Sequence, residues 1–234
     1  MSSRHTDLVP TRDVVPMTPH LRPDGVAFLS STDLNSAVVD GSLSMAQIVV
    51  IGFTSGVDDN ESPDSLPAPA LEALEWLRSP GRFSIALVQG TCGRQFVSAI
   101  ASCDIVLMTQ SALLVTSASD ATGLPGLGAS EVVVARIGSG RSLLLALDDA
   151  PLDATSAYAI GLVDEVVSDP HAADRVDQLL AQLHAKPAGW MAEATSLLAT
   201  ASGATHEAAG RDRLRRREVD AQERLKRQGQ ALPD

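Results

Sequence analysis

Two turns in this chain carry the residue types that hold a developing negative charge on an oxygen. The first is FTSGVDDNE, Phe53–Glu61, where an apolar run breaks into a glycine-containing turn with a backbone amide near Val57 and acidic residues behind it. The second is VQGTCGRQFVSAIASCDIVL, Val88–Leu107, which reads as strand, glycine turn and helix start. A loop N–H and an N–H at the start of a helix, converging on one point, make an oxyanion hole. Other chemistries find few residues to work with. The histidines, His5, His20, His171, His184 and His206, fall in the terminal regions away from both turns, so no histidine-based triad is expected. No spacing suits a metal ion, and the glycines at 123–128 form neither a phosphate loop nor a dinucleotide fingerprint. No metal and no separate cofactor are expected.

Composition narrows the partners. The 234 residues are 44% hydrophobic and 20% charged, an ordinary globular mixture, and 18 basic against 29 acidic residues give a formal charge of -11. Such a charge repels a phosphate backbone, and four Phe, two Trp and one Tyr supply no aromatic-basic stripe, so nucleic acid is not an expected partner. The longest apolar stretches, MAQIVVIGF and SLLLAL, fall short of the roughly 20 residues that span a bilayer, which predicts a cytoplasmic protein with no membrane partner. The two cysteines, Cys92 and Cys103, read as small buried fillers.

The elements that must position the two turns follow from periodicity. Short β-branched runs at 25–31, 47–53, 83–90, 103–110 and 113–117 alternate with helical patterns, the rhythm of a buried, mostly parallel sheet. PAPALEALEWLRSP sets Leu71, Leu74 and Leu77 at helical spacing between prolines, a crossover helix. Residues 94–102 fit strand or helix by pattern, and their place between two parallel strands favours helix. Helices follow at SEVVVARIG, where Glu131 suits the helix start, around Leu143–Leu147, and at DATSAYAIG with Asp153 as N-cap, before a last strand in GLVDEVV. After Pro170 helices are expected near 171–185, 188–201 and 205–228. Residues 207–227 carry eight Arg or Lys against five Asp or Glu, either a cationic arm for a phosphorylated ligand or acidic surface, or a solvated helix laced with i,i+4 pairs. The division expected is a loose N-terminal arm over 1–24, a core over 25–170 and C-terminal helices over 171–234 that serve oligomerisation or cover a pocket mouth.

At these segments the chain resembles the crotonase, or enoyl-CoA hydratase/isomerase, superfamily. FTSGVD stands where that family has F-x-A-G-A-D, and VQGTCGRQFVS…CD where it has V-N-G-x-x-x-G-G-G-x-E…C-D, with no gap between Gly90 and Cys103-Asp104. GLPG, Gly123–Gly126, sits at the family's proline-glycine turn, and Asp148–Val167 looks like its T-G-x-x-x-x-A-x-x-A-x-x-x-G-L-V-D-x-V signature. The resemblance covers roughly residues 25–170 and implies an α/β fold of the crotonase ββα-spiral type with a C-terminal helical region.

What the resemblance implies for the site is specific. Val57 and Gln95 stand at the two positions whose backbone amides hold the thioester oxygen, with Gln95 replacing the family's middle glycine. Ser98 and Ala118 stand where the two usual glutamates would be, so ordinary hydration, which needs an acid and a base, loses both familiar carboxylates. Asp120 is the nearest carboxylate able to enter the pocket, or else a cap or turn residue; Ser98 is a functional hydroxyl or a small residue packed against the sheet. Phe53, Gly56, Arg94 and Gly126 are the expected substrate-binding positions, with Arg94 facing a ligand phosphate or a surface carboxylate.

The ligand so implied is an acyl-CoA or acyl-carrier thioester, CoA entering as part of the substrate, and the implied assembly is a homo-oligomer, a trimer or hexamer. The expected activity is that of an enoyl-CoA hydratase/isomerase-like lyase or dehydratase of specialised metabolism acting through an enolate. The GTCG turn and the missing glutamates also look like the divergent accessory members found in dihydroxyphenylglycine biosynthesis. The competing expectation is a catalytically silent subunit of the same fold that activates a partner enzyme of its pathway.

Overall fold

The computed structural model describes residues 20–41, 43–54, 71–79, 81–115, 129–148, 150–186, 190–191 and 194–195. The β-branched runs form a sheet in the order β1-β2-β3-β4-β6-β9, from β1 (His20–Leu21), β2 (Val26–Ser30), β3 (Ile48–Thr54), β4 (Phe83–Gln89), β6 (Ile105–Thr109) and β9 (Glu165–Val167). Every pairing from β2 onward is parallel, and β1 is antiparallel to β2. The N-terminal arm expected over 1–24 therefore gives its last part to the sheet: His20 pairs with Phe28 and stacks on its ring at 5.1 Å.

Strands buried on both faces need apolar residues in succession, which is why β3 reads IVVIGFT and not as an alternation. Their alternating directions divide the interior. Val49, Ile51, Phe53, Ala86 and Val88 pack with α1 (Leu34–Val39), α2 (Leu71–Leu77), α3 (Val97–Ser102) and α4 (Ala129–Ile137). Ile48, Val50, Ile85 and Leu87 pack instead with α7 (Ala172–His184), whose Ala172, Val176, Leu179, Leu180 and Leu183 form one helical stripe. Trp190 and Met191 are helical, inside the helix expected over 188–201; the region expected as a helix at 205–228 lies outside the described residues. Among the described residues no helix is long and apolar enough to cross a membrane.

A second, three-stranded sheet joins the exits of the larger one. It consists of β5 (Thr91–Cys92), β7 (Leu113–Leu114) and β8 (Leu152–Asp153), in the order β5-β7-β8. Backbone bonds from Leu113 N to Gly90 O and from Val115 N to Cys92 O, both 2.8 Å, tie the turn after β4 to the turn after β6. The CD and GLVDEVV segments are structural anchors. Asp104 accepts from Ser84 N and Oγ at 2.8 Å each, and burial pushes its carboxyl above the usual range against the pull of those bonds. Asp153 caps α6 (Ala154–Ile160) by accepting from Ser156 N at 2.7 Å, and Gly161 ends that helix at φ +84°.

Arg136 of α4 is the clamp between these anchors. It donates to Leu162 O at 2.9 Å and Cys103 O at 2.7 Å and pairs with Asp164, which itself accepts from Val106 N. Its side chain is 14% exposed, so its removal leaves enclosed carbonyls without a donor. Arg136→Met is expected to lower stability by about 3 kcal/mol in urea unfolding, and Arg136→Lys to recover little of it, because one ammonium does not match a three-way fork. Unchanged unfolding midpoints in both variants contradict the clamp.

Candidate functional site

The site is built at the C-terminal ends of β3 and β4, the end of a parallel sheet that ligands use. These strands run in register to their last residues, Phe53 opposite Val88 and Thr54 opposite Gln89. Both candidate turns therefore start side by side. The chain leaves β4 through Gly90, exposed and at φ +61°, a conformation that side chains with a Cβ resist. It crosses β5 and enters a 3-10 turn at Arg94–Phe96 that leads into α3.

The turn's internal ladder begins with Phe96 N donating to Gly93 O at 3.1 Å, and Val97 N then donates to Arg94 O. Gln95 lies within this first turn, between Gly93 and Phe96. Phe96, the next residue, is 1% exposed, and Phe53 is fully buried. Their rings meet edge to face at 6.0 Å and 62°. This contact joins the last apolar residue of β3, four residues ahead of Val57, to the residue that follows Gln95.

Of the residues singled out in the sequence, the structure brings Phe53, Arg94, Gln95 and Ser98 to this one end of the sheet. Phe53 is fully buried, its ring against that of Phe96. Arg94 and Gln95 are partly exposed at the start of the turn. Ser98 is buried at 7% exposure on the first turn of α3, and its carbonyl accepts from Ser102 Oγ at 2.7 Å. Gly56, Val57, Asp120 and Gly126 lie outside the described residues.

Two polar residues at this end escaped the sequence reading. Gln89 closes β4 with Oε1 buried and without a hydrogen-bond partner among the described residues, and Thr109 closes β6, fully buried, with Oγ1 in the same state. The Val88–Met108 pairing puts them on the next rung of adjacent strands. The signal for both was a polar residue ending an otherwise apolar strand run.

Among the described residues, the thiols and the one further cleft carry groups that are inert or already paired. Burial pushes both free thiols, Cys92 and Cys103, up to about 12, which keeps them protonated and unreactive. Among the described residues no cluster of three His, Cys, Asp or Glu side chains is placed to hold a metal ion. A cleft of about 260 Å³ between β9 and α7 holds none of the residues predicted for the site. Its Arg175 is taken by Glu165 through two bonds of 2.7 and 2.9 Å, and its Ser168 Oγ by His171 Nδ1 at 2.8 Å.

No protein-family model and no curated protein matches the chain. Solved structures do. A Thermobifida fusca protein assigned to the enoyl-CoA hydratases, in complex with acetoacetyl-CoA, superposes with a TM-score of 0.64 at 25% identity over 88% of this chain and 93% of its own. The same organism's CoA complex gives 0.65 at 26% identity over 92% and 95%. An enoyl-CoA hydratase from Mycobacterium avium subsp. paratuberculosis K-10 gives 0.69 at 25% identity over 91% of each chain.

The aromatic contact is open to a direct test. Phe96→Leu keeps an apolar side chain of similar bulk but removes the ring pair, and is expected to cost about 1–2 kcal/mol in urea unfolding. A variant as stable as the parent shows that the rings do not fix the turn.

Proposed function

The chain belongs to the crotonase superfamily, and from that premise we propose that it takes an acyl-CoA or acyl-carrier thioester and holds its carbonyl oxygen between the backbone N–H groups of Val57 and Gln95. The observation that carries this reading is the Phe53–Phe96 contact, together with the Thr54–Gln89 register that starts both turns at one place. Solved relatives with CoA and with acetoacetyl-CoA support the ligand class.

Two N–H donors at the thioester oxygen make the α-carbon acidic. When a base removes the α-proton, the electron pair moves onto the oxygen as an enolate, and each donor aimed there is worth roughly 3–4 kcal/mol of barrier. Asp120, or a water beside Ser98, takes that proton and returns it at the α-carbon or passes it on to a leaving group at the β-carbon. An elimination of this kind makes the protein a lyase or dehydratase, and the missing glutamates point to a specialised substrate. By the resemblance, Phe53, Gly56 and Gly126 are substrate-binding positions, and Arg94 meets a phosphate of the carrier. We carry over from the resemblance a cytoplasmic setting and a trimeric or hexameric assembly.

The test is deuterium uptake. Incubated in D2O with enoyl-, 3-hydroxyacyl- and malonyl-CoA, the purified chain is expected to exchange α-protons or turn over at least one of the three. Asp120→Asn should lower that rate about 10²–10⁴-fold. Gln95→Pro, which removes the amide from the first turn of a helix, should cost about 10²–10³-fold, whereas Gln95→Ala, which keeps it, stays near the parent. A chain inert towards every thioester, with Asp120→Asn silent in the complete pathway, overturns the catalytic reading in favour of an accessory subunit that activates a partner enzyme.

A further inference from the structure

Exposed apolar side chains, such as Leu143, Leu144 and Leu147 on α5 (Ser139–Leu147), are common on folded proteins. Buried polar atoms without a partner are not. Two of them stand side by side at the C-terminal end of the large sheet. Thr109 is fully buried, and its Oγ1 has no hydrogen-bond partner among the described residues; the same holds for the buried Oε1 of Gln89. The two atoms are therefore not bonded to each other.

Their placement follows from register. Val88 pairs with Met108, so Gln89 and Thr109 end β4 and β6 on the next rung. Alternation puts both on one face: Leu87 and Leu107, two residues earlier, pack with α7, and so does Val167, which pairs with Thr109. Phe53, Val88 and Met108 point the other way, into the cluster that includes α3. Thr54, opposite Gln89 in register, continues the row onto β3 and, like Gln89, is partly exposed. A polar row thus crosses three strands, from partly exposed Thr54 and Gln89 to the enclosed hydroxyl of Thr109.

An enclosed oxygen that gives up its bonds to solvent destabilises the fold, and two neighbours do so twice. One small ligand removes both penalties. Adjacent strands lie about 4.8 Å apart, and a water making two bonds of about 2.8 Å at a tetrahedral angle spans nearly the same distance. Water both accepts and donates, so it can take a hydrogen bond from the Thr109 hydroxyl and give one to Gln89 Oε1. A cation suits the row less well, because its three side chains are neutral and none offsets a buried charge.

We propose that Gln89 and Thr109 form a binding site for one ordered water, held on the α7 face between the ends of β4 and β6, with Thr54 on the side from which it enters. The site stands independently of the thioester reading, since it lies on the face of the sheet opposite the Phe53–Phe96 contact.

A high-resolution crystal structure of the full chain tests this, and the expected density is a single peak within about 3 Å of both oxygens. Thermal unfolding gives a second reading. Thr109→Val and Gln89→Met each leave the water and the other oxygen short of a bond, and each should lower the midpoint by about 3–6 °C. The double variant removes both partners together and should lose clearly less than the sum of the two. The proposal is overturned by a protein group in place of the peak, by no peak at all, or by losses that simply add. A Thr109→Val chain more stable than the parent also overturns it, because that is the behaviour of an oxygen buried with no partner.

Discussion

Two phenylalanine rings, Phe53 and Phe96, meet at the C-terminal end of the sheet, and the geometry of the proposed oxyanion hole depends on that meeting. An oxyanion hole is a demand on distance: two peptide N–H groups from remote parts of a chain must be held to within tenths of an ångström. Loops do not achieve this alone. Here one ring belongs to the strand that leads towards the first turn, and the other follows Gln95 directly, so their edge-to-face packing at 6.0 Å ties the end of β3 to the 3-10 turn through buried apolar contact. The parallel register of β3 and β4 brings them together, and Gly90 permits the bend that carries the chain from β4 towards the turn.

Behind the rings stands a second layer of positioning. The small sheet of β5, β7 and β8 binds the exit of β4 to that of β6, and Arg136 locks α4 onto the ends of α3 and the GLVD segment. Asp104, Asp153, Asp164 and Arg136 are spent on backbone groups or on each other. These four charged residues hold the scaffold, a role the fold needs whatever chemistry its site performs.

Much of the fold was legible because its strands are buried on both faces and its helices carry clear stripes. The runs at 25–31, 47–53, 83–90 and 103–110 became β2, β3, β4 and β6, the helix at 71–77 appears as read, and Asp153 caps α6 as expected. What escaped depended on partners distant in sequence. His20 and Leu21 have no pattern of their own and form a strand only because β2 offers an edge. In the second sheet the run at 113–117 became β7, while the two-residue β5 and β8 are too short to show any period. Periodicity marked Leu143–Leu147 as an apolar helix but does not reveal which side of a helix is covered, and here it is the side with fewer leucines. At this end of the sheet, the helix expected over 94–102 was legible from its place between two parallel strands, while Gln89 and Thr109 were hidden as ordinary strand ends.

The central claim is that one thioester oxygen sits between two backbone amides brought together by this packing. Crystals grown with an acyl-CoA analogue whose sulfur is replaced by methylene, so that the carbonyl survives, measure it directly. The account predicts a carbonyl oxygen within about 3 Å of both the Val57 and the Gln95 nitrogen. An oxygen in contact with neither nitrogen, or with side chains alone, contradicts it.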